Sequence, residues 1–381
     1  MDSPNSFFDG TDRRTFLAGA ATAGAVGLAG CSDILGNGNG NGNGEDPSDS
    51  PIGQIGSGRE GRGTPGGTPM SEMPSLEGEL TLYSGRGEFL VGDLISYIED
   101  LYDDFSLTVR YGGSTDLVNQ IINEGDGTPA DVFYSVNAGS LGALTDAERT
   151  QALSDEVLNM VREEFRTNQW VGTSGRARSI PYNTDAYSAS DLPNDIMAYS
   201  DFEGDLGWAP SYGSCQAFVT AMRIIEGEEA TRQWLEGVVE SGITSYPDEF
   251  VTCQAIADGE IDAAFTNHYY IQRVLDGSSD APIATTFTEG DAGAVFNVAG
   301  ATVTDAASDA TLASNFVRHL LSAEAQDYFA RSTFEYPLVS DVEPIGELPT
   351  IDELDVPDID LTQLSDLEPT IDLMRDVGID V

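Results

Sequence analysis

The sequence predicts an α/β fold built on parallel β-sheet and divided into two lobes. Short apolar runs typical of strands alternate with segments of helical periodicity from residue 80 onward, and this alternation is typical of βαβ units. The region after residue 78 holds roughly 300 residues, about twice the commonest size of a domain. Two lobes are therefore expected, each with its own core.

Five segments at the start of this region carry the alternation. Strands are expected at 80–84, 107–111 and 130–134, with helices between them at 89–102 and 116–124. Ligands of parallel sheets bind at the carboxyl ends of strands, where the strand order reverses. The turn Ser-Gly-Arg-Gly at 84–87 follows the first strand, and its backbone amides are suited to bind an anion before the next helix.

The N-terminus has the pattern of an exported lipoprotein. Paired arginines, Arg13 and Arg14, precede an apolar stretch that ends at Gly30 and is short for a transmembrane helix. Leu-Ala-Gly-Cys at 28–31 resembles a lipidation signal. We therefore expect a twin-arginine signal peptide at 1–30 and a lipid anchor at Cys31 on the extracellular face of the membrane. The alternatives are a transmembrane anchor and an unrelated free thiol.

The segment that follows, 31–78, predicts a flexible tether. Gly, Asn, Ser, Pro and Glu dominate it, and it includes an Asn-Gly repeat. Such a composition does not supply enough apolar surface to form a core of its own. Ordered structure is expected to begin near Glu79.

Charge is the most unusual part of the composition. The chain has 65 acidic residues against 17 basic ones, a formal net charge of -48, and every basic residue is arginine. Self-repulsion of this size is tolerable where concentrated salt reduces the screening length to about 3 Å. The composition resembles that of a haloarchaeal secreted protein, so the acidic residues are expected on a solvated surface. It excludes a nucleic-acid-binding function, which needs a basic patch.

Two adjacent tyrosines, Tyr269 and Tyr270, follow an apolar run at 261–265. One interpretation is that they begin an amphipathic helix, with one ring inward and one outward. The other is chemical, because a buried phenol needs a partner for its hydroxyl group. Two phenolates would provide the anionic oxygen ligands that a hard cation such as ferric iron prefers.

Five ordered motifs decide between these interpretations. The motifs are Leu-Thr-Leu-Tyr-Ser-Gly-Arg at 80–86, Glu-Gly at 124–125 with Thr-Pro-Ala-Asp-Val-Phe at 128–133, Trp-Val-Gly at 170–172 with Ser-Gly-Arg-Ala-Arg at 174–178, Gly-Glu-Ile-Asp-Ala-Ala at 259–264 with Asn-His-Tyr-Tyr at 267–270, and Glu-Tyr-Pro-Leu at 335–338. Together they resemble the periplasmic ferric-iron-binding proteins of ABC importers, within the bacterial extracellular solute-binding superfamily. The resemblance covers essentially the whole chain from residue 79.

The resemblance implies a type II periplasmic-binding-protein-like fold, in which two α/β lobes are joined by a two-stranded hinge and close around a ligand. It places lobe one at about 79–178 and 278–330, and lobe two at about 179–277 and 331–381. It further implies a monomer that captures ferric iron and delivers it to an ABC transporter permease.

The metal ligands that the resemblance implies are tyrosines. The adjacent pair of the family falls on Tyr269 and Tyr270, and the third tyrosine found in some members falls on Tyr212. Other members carry a histidine and a glutamate at positions that are Gly87 and Val136 in this chain. The resemblance therefore implies the form of the site in which tyrosines dominate and a bound anion completes the coordination of iron.

The expected synergistic anion is carbonate or phosphate. Arg176 matches a family arginine that contacts this anion, and Arg86 is placed to reach it as well. Gly213 and Ser214, at an expected helix start, are candidates to add amide and hydroxyl donors. An arginine suits this role because its planar fork donates two hydrogen bonds to an oxyanion.

Two further points stay open at the level of sequence. Glu88 is the candidate for a metal ligand from lobe one, or else a solvated acid at a helix start. Cys215 and Cys253 either form a disulfide or are two buried free thiols.

The alternative functions are a binding protein for another small solute (a polyamine, thiamine or an oxyanion) and a tyrosine-based metalloenzyme. Without a nucleophile elbow, zinc pattern or P-loop in the sequence, we predict that the chain is not an enzyme.

Overall fold

The structure is a computed structural model, and it describes residue 55, residues 64–339 and residues 341–381. All of them belong to one compact unit, Asp46–Val381. The predicted signal peptide, the lipidation site Cys31 and most of the predicted tether lie outside the described residues. Within the described ranges, no helix has the length and apolar character needed to cross a membrane.

Eleven strands in the described ranges join in one sheet. They are β1 (Gly78–Ser84), β2 (Phe105–Tyr111), β3 (Val132–Ser135), β4 (Trp170–Asn183), β5 (Leu206–Trp208), β6 (Thr244–Ser245), β7 (Ala263–Ala264), β8 (Thr266–Asn267), β9 (Ile283–Thr286), β10 (Phe296–Val303) and β11 (Tyr336–Pro337). The main order is β2-β1-β3-β10-β4-β7-β5-β6, and β8, β9 and β11 pair with β4. The pairs β1–β2 and β1–β3 are parallel, which confirms the predicted βαβ organisation.

The helices cover the faces of this sheet. They are α1 (Glu88–Asp100), α2 (Ser114–Glu124), α3 (Ala138–Asp146), α4 (Asp155–Leu158), α5 (Gly213–Ile225), α6 (Glu228–Glu240), α7 (Glu249–Ala257), α8 (His268–Gly277), α9 (Ala310–His319), α10 (Ala323–Tyr328) and α11 (Glu368–Asp376). A π-helical turn at Phe329–Thr333 continues α10, and Leu361–Ser365 forms a 3-10 helix. The helices predicted at 89–102 and 116–124 correspond to α1 and α2.

Buried apolar side chains form two large cores and a smaller third one. The first core lies around β1–β3 and β10 and includes Leu82, Phe133 and Phe296. The second core lies around α5 and α6 and includes Trp208 and Phe265. The third core lies under α7 and α8 and includes Ile256 and Ile271.

Two chain segments, one within β4 and one leading into β10, pass between the first core and the second. In β4, Ala177 packs in the first core and Ile180 in the second. Val295, just before β10, packs in the second core. The two crossing segments are joined where they pass, because the backbone amide of Arg178 donates to the carbonyl of Val295 at 2.8 Å. This pair of segments corresponds to the expected two-stranded hinge.

Some residues near the predicted lobe boundaries pack in a core that belongs to the other lobe. Ile283 of β9, predicted in lobe one, packs in the third core, since β9 pairs with the second-core half of β4. Tyr336 and Leu338, predicted in lobe two, pack in the first core, because β11 pairs with the first-core half of β4. Short two-residue strands such as β11 give no periodicity from which to assign them.

The described end of the predicted tether is packed. Met70 and Leu76 are buried in the first core, and the amide of Met70 donates to Glu324 Oε2 at 2.9 Å. Packed structure therefore begins before the predicted start near residue 79. Met70 and Leu76 are isolated apolar residues in a polar stretch rich in Pro and Ser, so they form no periodic pattern that predicts burial.

Candidate functional site

A cavity of about 440 Å³ lies between walls from the first and second cores. Its first-core wall includes residues just after the carboxyl ends of β1 and β3, namely Arg86 and Asn137, as expected for a parallel sheet. Its second-core wall includes the start of α5 and Tyr269 of α8. The volume falls in the range of small-ligand pockets.

The cavity is electropositive in a strongly acidic protein. Four arginines line it, against a single carboxylate, Glu335. Arg86 and Arg178 are paired with Glu335 and Glu249. The cavity therefore favours an anionic ligand, or a cation that arrives together with anions.

The three predicted tyrosines lie close together beside this cavity, and two of them, Tyr212 and Tyr269, line it. Tyr269 and Tyr270 begin α8, and their ring centroids are 4.4 Å apart. The hydroxyl oxygens of Tyr212 and Tyr270 are 2.8 Å apart and share a hydrogen bond. Tyr212, the N-cap of α5, is 37% exposed, whereas Tyr270 is buried. The two rings begin a helix, and the hydroxyl group of Tyr270 meets a third phenol, that of Tyr212.

Burial raises the pKa of both adjacent phenols, Tyr269 and Tyr270. The nearby charge of Arg176 acts on the pKa of Tyr269 in the opposite direction. The adjacent Tyr269 and Glu249 raise the pKa of Tyr270 further. A cation bound among the three hydroxyl groups would have to displace their protons.

Two arginines at the tyrosines have no acidic partner among the described side chains. The guanidinium of Arg273, one turn along α8, lies over the rings of Tyr269 and Tyr270 at 4.9 and 5.2 Å. Arg176 lies on β4 and lines the cavity. Within the described ranges, no hydrogen bond or ion pair occupies the guanidinium of Arg176, which leaves its donors open to a ligand.

The start of α5 supplies backbone donors. Gly213 and Ser214 are its first two residues and line the cavity. The first amides of a helix have no partner within the helix, and Tyr212 makes no side-chain cap. The hydroxyl of Ser214 is committed elsewhere, because it donates to Glu249 Oε1 at 2.5 Å. Ser214 can therefore offer its amide rather than its hydroxyl.

Arg86 is buried and already has partners. Its Nη2 lies 2.5 Å from Glu335 Oε2, and its Nη1 donates to Ser174 Oγ at 2.7 Å. The pKa of Arg86 is raised above its usual value by Glu335 despite the opposing effect of burial. Arg86 thus lines the cavity with most of its hydrogen-bonding capacity used by Glu335 and Ser174.

The first-core positions Gly87 and Val136 carry no side-chain metal ligand. Val136 lines the cavity without a ligand atom in its side chain. A Cβ at Gly87 would lie 2.5 Å from Cε1 of Phe89, so a histidine there would require Phe89 to move. Glu88 is exposed and does not line the cavity. Among the described residues, no three His, Cys, Asp or Glu side chains are grouped to hold a metal.

The histidines and cysteines have structural positions. Both ring nitrogens of His268 contact the backbone, since Nδ1 lies 3.2 Å from the amide nitrogen of Ala177 and Nε2 lies 2.8 Å from the carbonyl oxygen of Phe334. Burial lowers the pKa of His268 and of His319 to about 4. Cys215 and Cys253 are buried free thiols, which settles the alternative left open by the sequence. Burial raises the pKa of Cys215 to about 12, so its thiol is unreactive at neutral pH.

Three residues of the site were not identified from the sequence. Arg273 lies four residues after Tyr269, so helical spacing from the tyrosine pair would have found it. Glu249 and Glu335 act through partners 71 and 249 residues away. A pattern within a few neighbouring residues cannot reveal ion pairs between residues so far apart in the sequence.

Known proteins resemble this chain in sequence and in fold. Residues 95–335 match the family described as bacterial extracellular solute-binding protein. The major ferric iron-binding protein of Neisseria meningitidis serogroup A is 31% identical over 272 residues, which cover 69% of this chain and 82% of that protein.

Solved structures agree with the sequence comparison. Iron-bound HitA from Pseudomonas aeruginosa is 29% identical with a TM-score of 0.69, covering 79% of this chain and 99% of that one. The Trichodesmium protein IdiA (FutA), in complex with iron and citrate, is 25% identical with a TM-score of 0.69, covering 80% of this chain and 100% of that one. The predicted type II periplasmic-binding-protein-like fold is confirmed, and these relatives are binding proteins and not enzymes. The chain belongs to the bacterial extracellular solute-binding protein family.

Proposed function

We propose that this protein captures ferric iron through the phenolates of Tyr212, Tyr269 and Tyr270, together with a bound anion. The observation that carries the proposal is a cluster of three phenols beside an arginine-lined cavity. Tyr212 and Tyr269 line the cavity, and the hydroxyl oxygens of Tyr212 and Tyr270 are 2.8 Å apart. Ferric iron is hard and prefers anionic oxygen ligands. Three phenolates would balance its charge, and the names of the relatives agree with this cargo.

Arg176 and the amides at the start of α5 are the proposed anion contacts. An anion that completes the coordination of iron adds negative charge, which the free guanidinium of Arg176 would balance. Carbonate and phosphate remain the proposed anions, and the iron and citrate complex of the Trichodesmium relative adds citrate to the candidates. Arg86, held by Glu335 and Ser174, would shape the anion's surroundings more than bind it.

The electropositive cavity also bears on the alternative solutes. A polyamine or thiamine is cationic and would meet four arginines and one carboxylate, which disfavours both. A free oxyanion fits the charge of the cavity but gives no role to three converging phenols. Ferric iron with an anion accounts for both features.

The cellular setting follows from the sequence as part of the same proposal. The twin-arginine pattern, the Leu-Ala-Gly-Cys signal and the arginine-only, acidic composition support a lipid-anchored protein of a salt-adapted organism. It would act as a monomer on the extracellular face of the membrane and deliver iron to an ABC import permease.

Titration of the purified protein with ferric citrate in high salt tests the proposal. Because phenolate–iron complexes absorb visible light, the solution should colour and saturate at one iron per protein. Each of the three phenols must lose its proton to bind iron as a phenolate, so a pH-stat should record release of about three protons per iron. A protein that stays colourless, or binds the oxyanion equally well without iron, would contradict the proposal.

Replacement of Arg176 tests the anion contact. Arg176→Gln should bind iron less tightly, by about tenfold or more, when carbonate, phosphate or citrate is present, because a hydrogen bond to a charged group is lost. Competition with a chelator, repeated with each anion, measures the effect. Arg232→Gln on the exposed face of α6, where Arg232 pairs with Asp376 at 3.6 Å, is the matched control. An unchanged dependence on anions in Arg176→Gln would rule out this contact.

A further inference from the structure

A segment of the C-terminal tail forms one wall of the cavity. The 3-10 helix Leu361–Ser365 contributes Leu364 and Ser365, and Leu367 follows them along the same wall. We call residues 361–367 the strap. The family match ends at residue 335, so the strap lies outside it.

On one side the strap rests directly on the backbone of α3. A Cβ built on Gly139 would lie 1.2 Å from Ser365 Oγ, and one built on Gly142 would lie 2.8 Å from Thr362 Cγ2. These glycines are three residues apart and share one face of the helix. A glycine in a helix costs about 1 kcal/mol relative to alanine. The close approach of the strap accounts for two of them in a nine-residue helix.

On the other side the strap is anchored to the second core. Leu364 is buried in that core, as are Leu373 and Met374 of α11, which follows the strap. The hydroxyl groups of Thr370 and Thr220 are 2.7 Å apart, which ties α11 to α5. Between the strap and α3, by contrast, the described residues show packing contacts and no hydrogen bond.

α3 and α5 belong to opposite walls of the cavity, since Ser140 lines it from α3 and Gly213 from α5. Separation of these walls requires the strap to leave one of them. The contact of the strap with Gly139 and Gly142 of α3, which we call the seat, consists of packing alone. On the α5 side the strap is held by the burial of Leu364 and, through α11, by a hydrogen bond. The strap would therefore stay with the second core and leave α3 whenever the cavity opens.

We propose that the strap holds the α3 and α5 walls together and slows the release of the cargo from the cavity. This inference rests on the proposed function for the identity of the cargo, ferric iron with its anion. Its physical basis is pre-organisation, because a cavity held near its closed form loses less free energy on binding and opens less often.

Gly139→Ala is the test, because the added methyl group overlaps Ser365 while alanine favours the helix itself. The double variant Gly139→Ala with Ser365→Gly removes the overlapping side chain and should restore the seat. Gly127→Ala, where a Cβ would meet nothing within 4 Å, is the control. Hydrogen exchange of the peptide that covers 358–367 reports the seat, with the peptide of α11 as an internal check that the second core stays folded.

The iron-loaded proteins are then mixed with an excess of a strong chelator, and the decay of the visible band gives the release rate. We expect release about tenfold faster in Gly139→Ala, near wild type in the control, and largely recovered in the double variant. Faster exchange of the strap without faster release would overturn the proposal. So would unchanged exchange, because the strap would then not be seated on α3.

Failure of the proposed function would be distinguishable. If wild type never binds iron, the ligand-free proteins decide the matter by X-ray scattering in matched salt. A larger radius of gyration in Gly139→Ala that reverts in the double variant supports a strap that holds the walls together. Equal radii in the three proteins would overturn it independently of the cargo.

Discussion

Tyr269→Phe combined with Tyr270→Phe is expected to weaken the visible band strongly, since only the Tyr212 phenolate remains, and to lower the affinity for ferric iron by at least about 100-fold. That figure is the upper range for loss of a group that merely supports a metal ligand, and here two ligands themselves are lost. Phenylalanine keeps the rings, so the packing with Arg273 is retained. Iron affinity is measured by competition with a chelator, and the band by titration in high salt.

The control for this experiment is Tyr246→Phe, a partly buried tyrosine that packs against the third core away from the cavity. It should colour and bind iron as wild type does. Thermal unfolding of the double variant should match wild type closely, because only hydroxyl groups are removed. A double variant that still binds iron with wild-type affinity would show that the phenols are not the ligands.

Local periodicity predicted the frame of the site well. The strands β1, β2 and β3 and the helices α1 and α2 lie where the alternation placed them, because each follows from apolar spacing over a few residues. The resemblance assigned Tyr212, Tyr269 and Tyr270 to one site, and in the structure their rings lie next to one another. The three tyrosines lie close together because α5 and α8 begin at the same edge of the sheet. Each helix start can be recognised from the residues immediately around it in the sequence.

The parts that could not be predicted depend on contacts distant in sequence. Arg86 was expected to face the anion, but Glu335, 249 residues later, occupies its guanidinium. Ser214 was expected to offer its hydroxyl, which Glu249 takes instead. The path of the strap follows from two glycines in α3 and one buried leucine, and none of these differs locally from an ordinary helix or loop residue.

Glu249→Gln is expected to lower the free energy of unfolding by about 3–5 kcal/mol, the usual cost of breaking a buried ion pair. Glu249 is fully buried, and its Oε1 accepts from Arg178 Nη1 at 2.5 Å. Its Oε2 accepts from the backbone amide of Asn267 at 2.9 Å. Glutamine has the same size, but it leaves Arg178 as an uncompensated buried charge and turns an NH₂ group toward one of these donors. Denaturant unfolding in high salt measures the loss, since salt screens a buried pair only weakly.

Glu240→Gln, on the exposed end of α6, is the control and should unfold as wild type does. Arg178→Met in the Glu249→Gln background should recover part of the stability by removing the unpaired charge. If Glu249→Gln unfolds within about 0.5 kcal/mol of wild type, as an ordinary surface substitution does, the pair is not a determinant of stability. Because Glu249 joins Ser214 at the start of α5 to Asn267 before α8, it also fixes the distance between Tyr212 and the tyrosine pair. The folded fraction of Glu249→Gln should therefore bind iron more weakly than wild type, although no ligand atom has been changed.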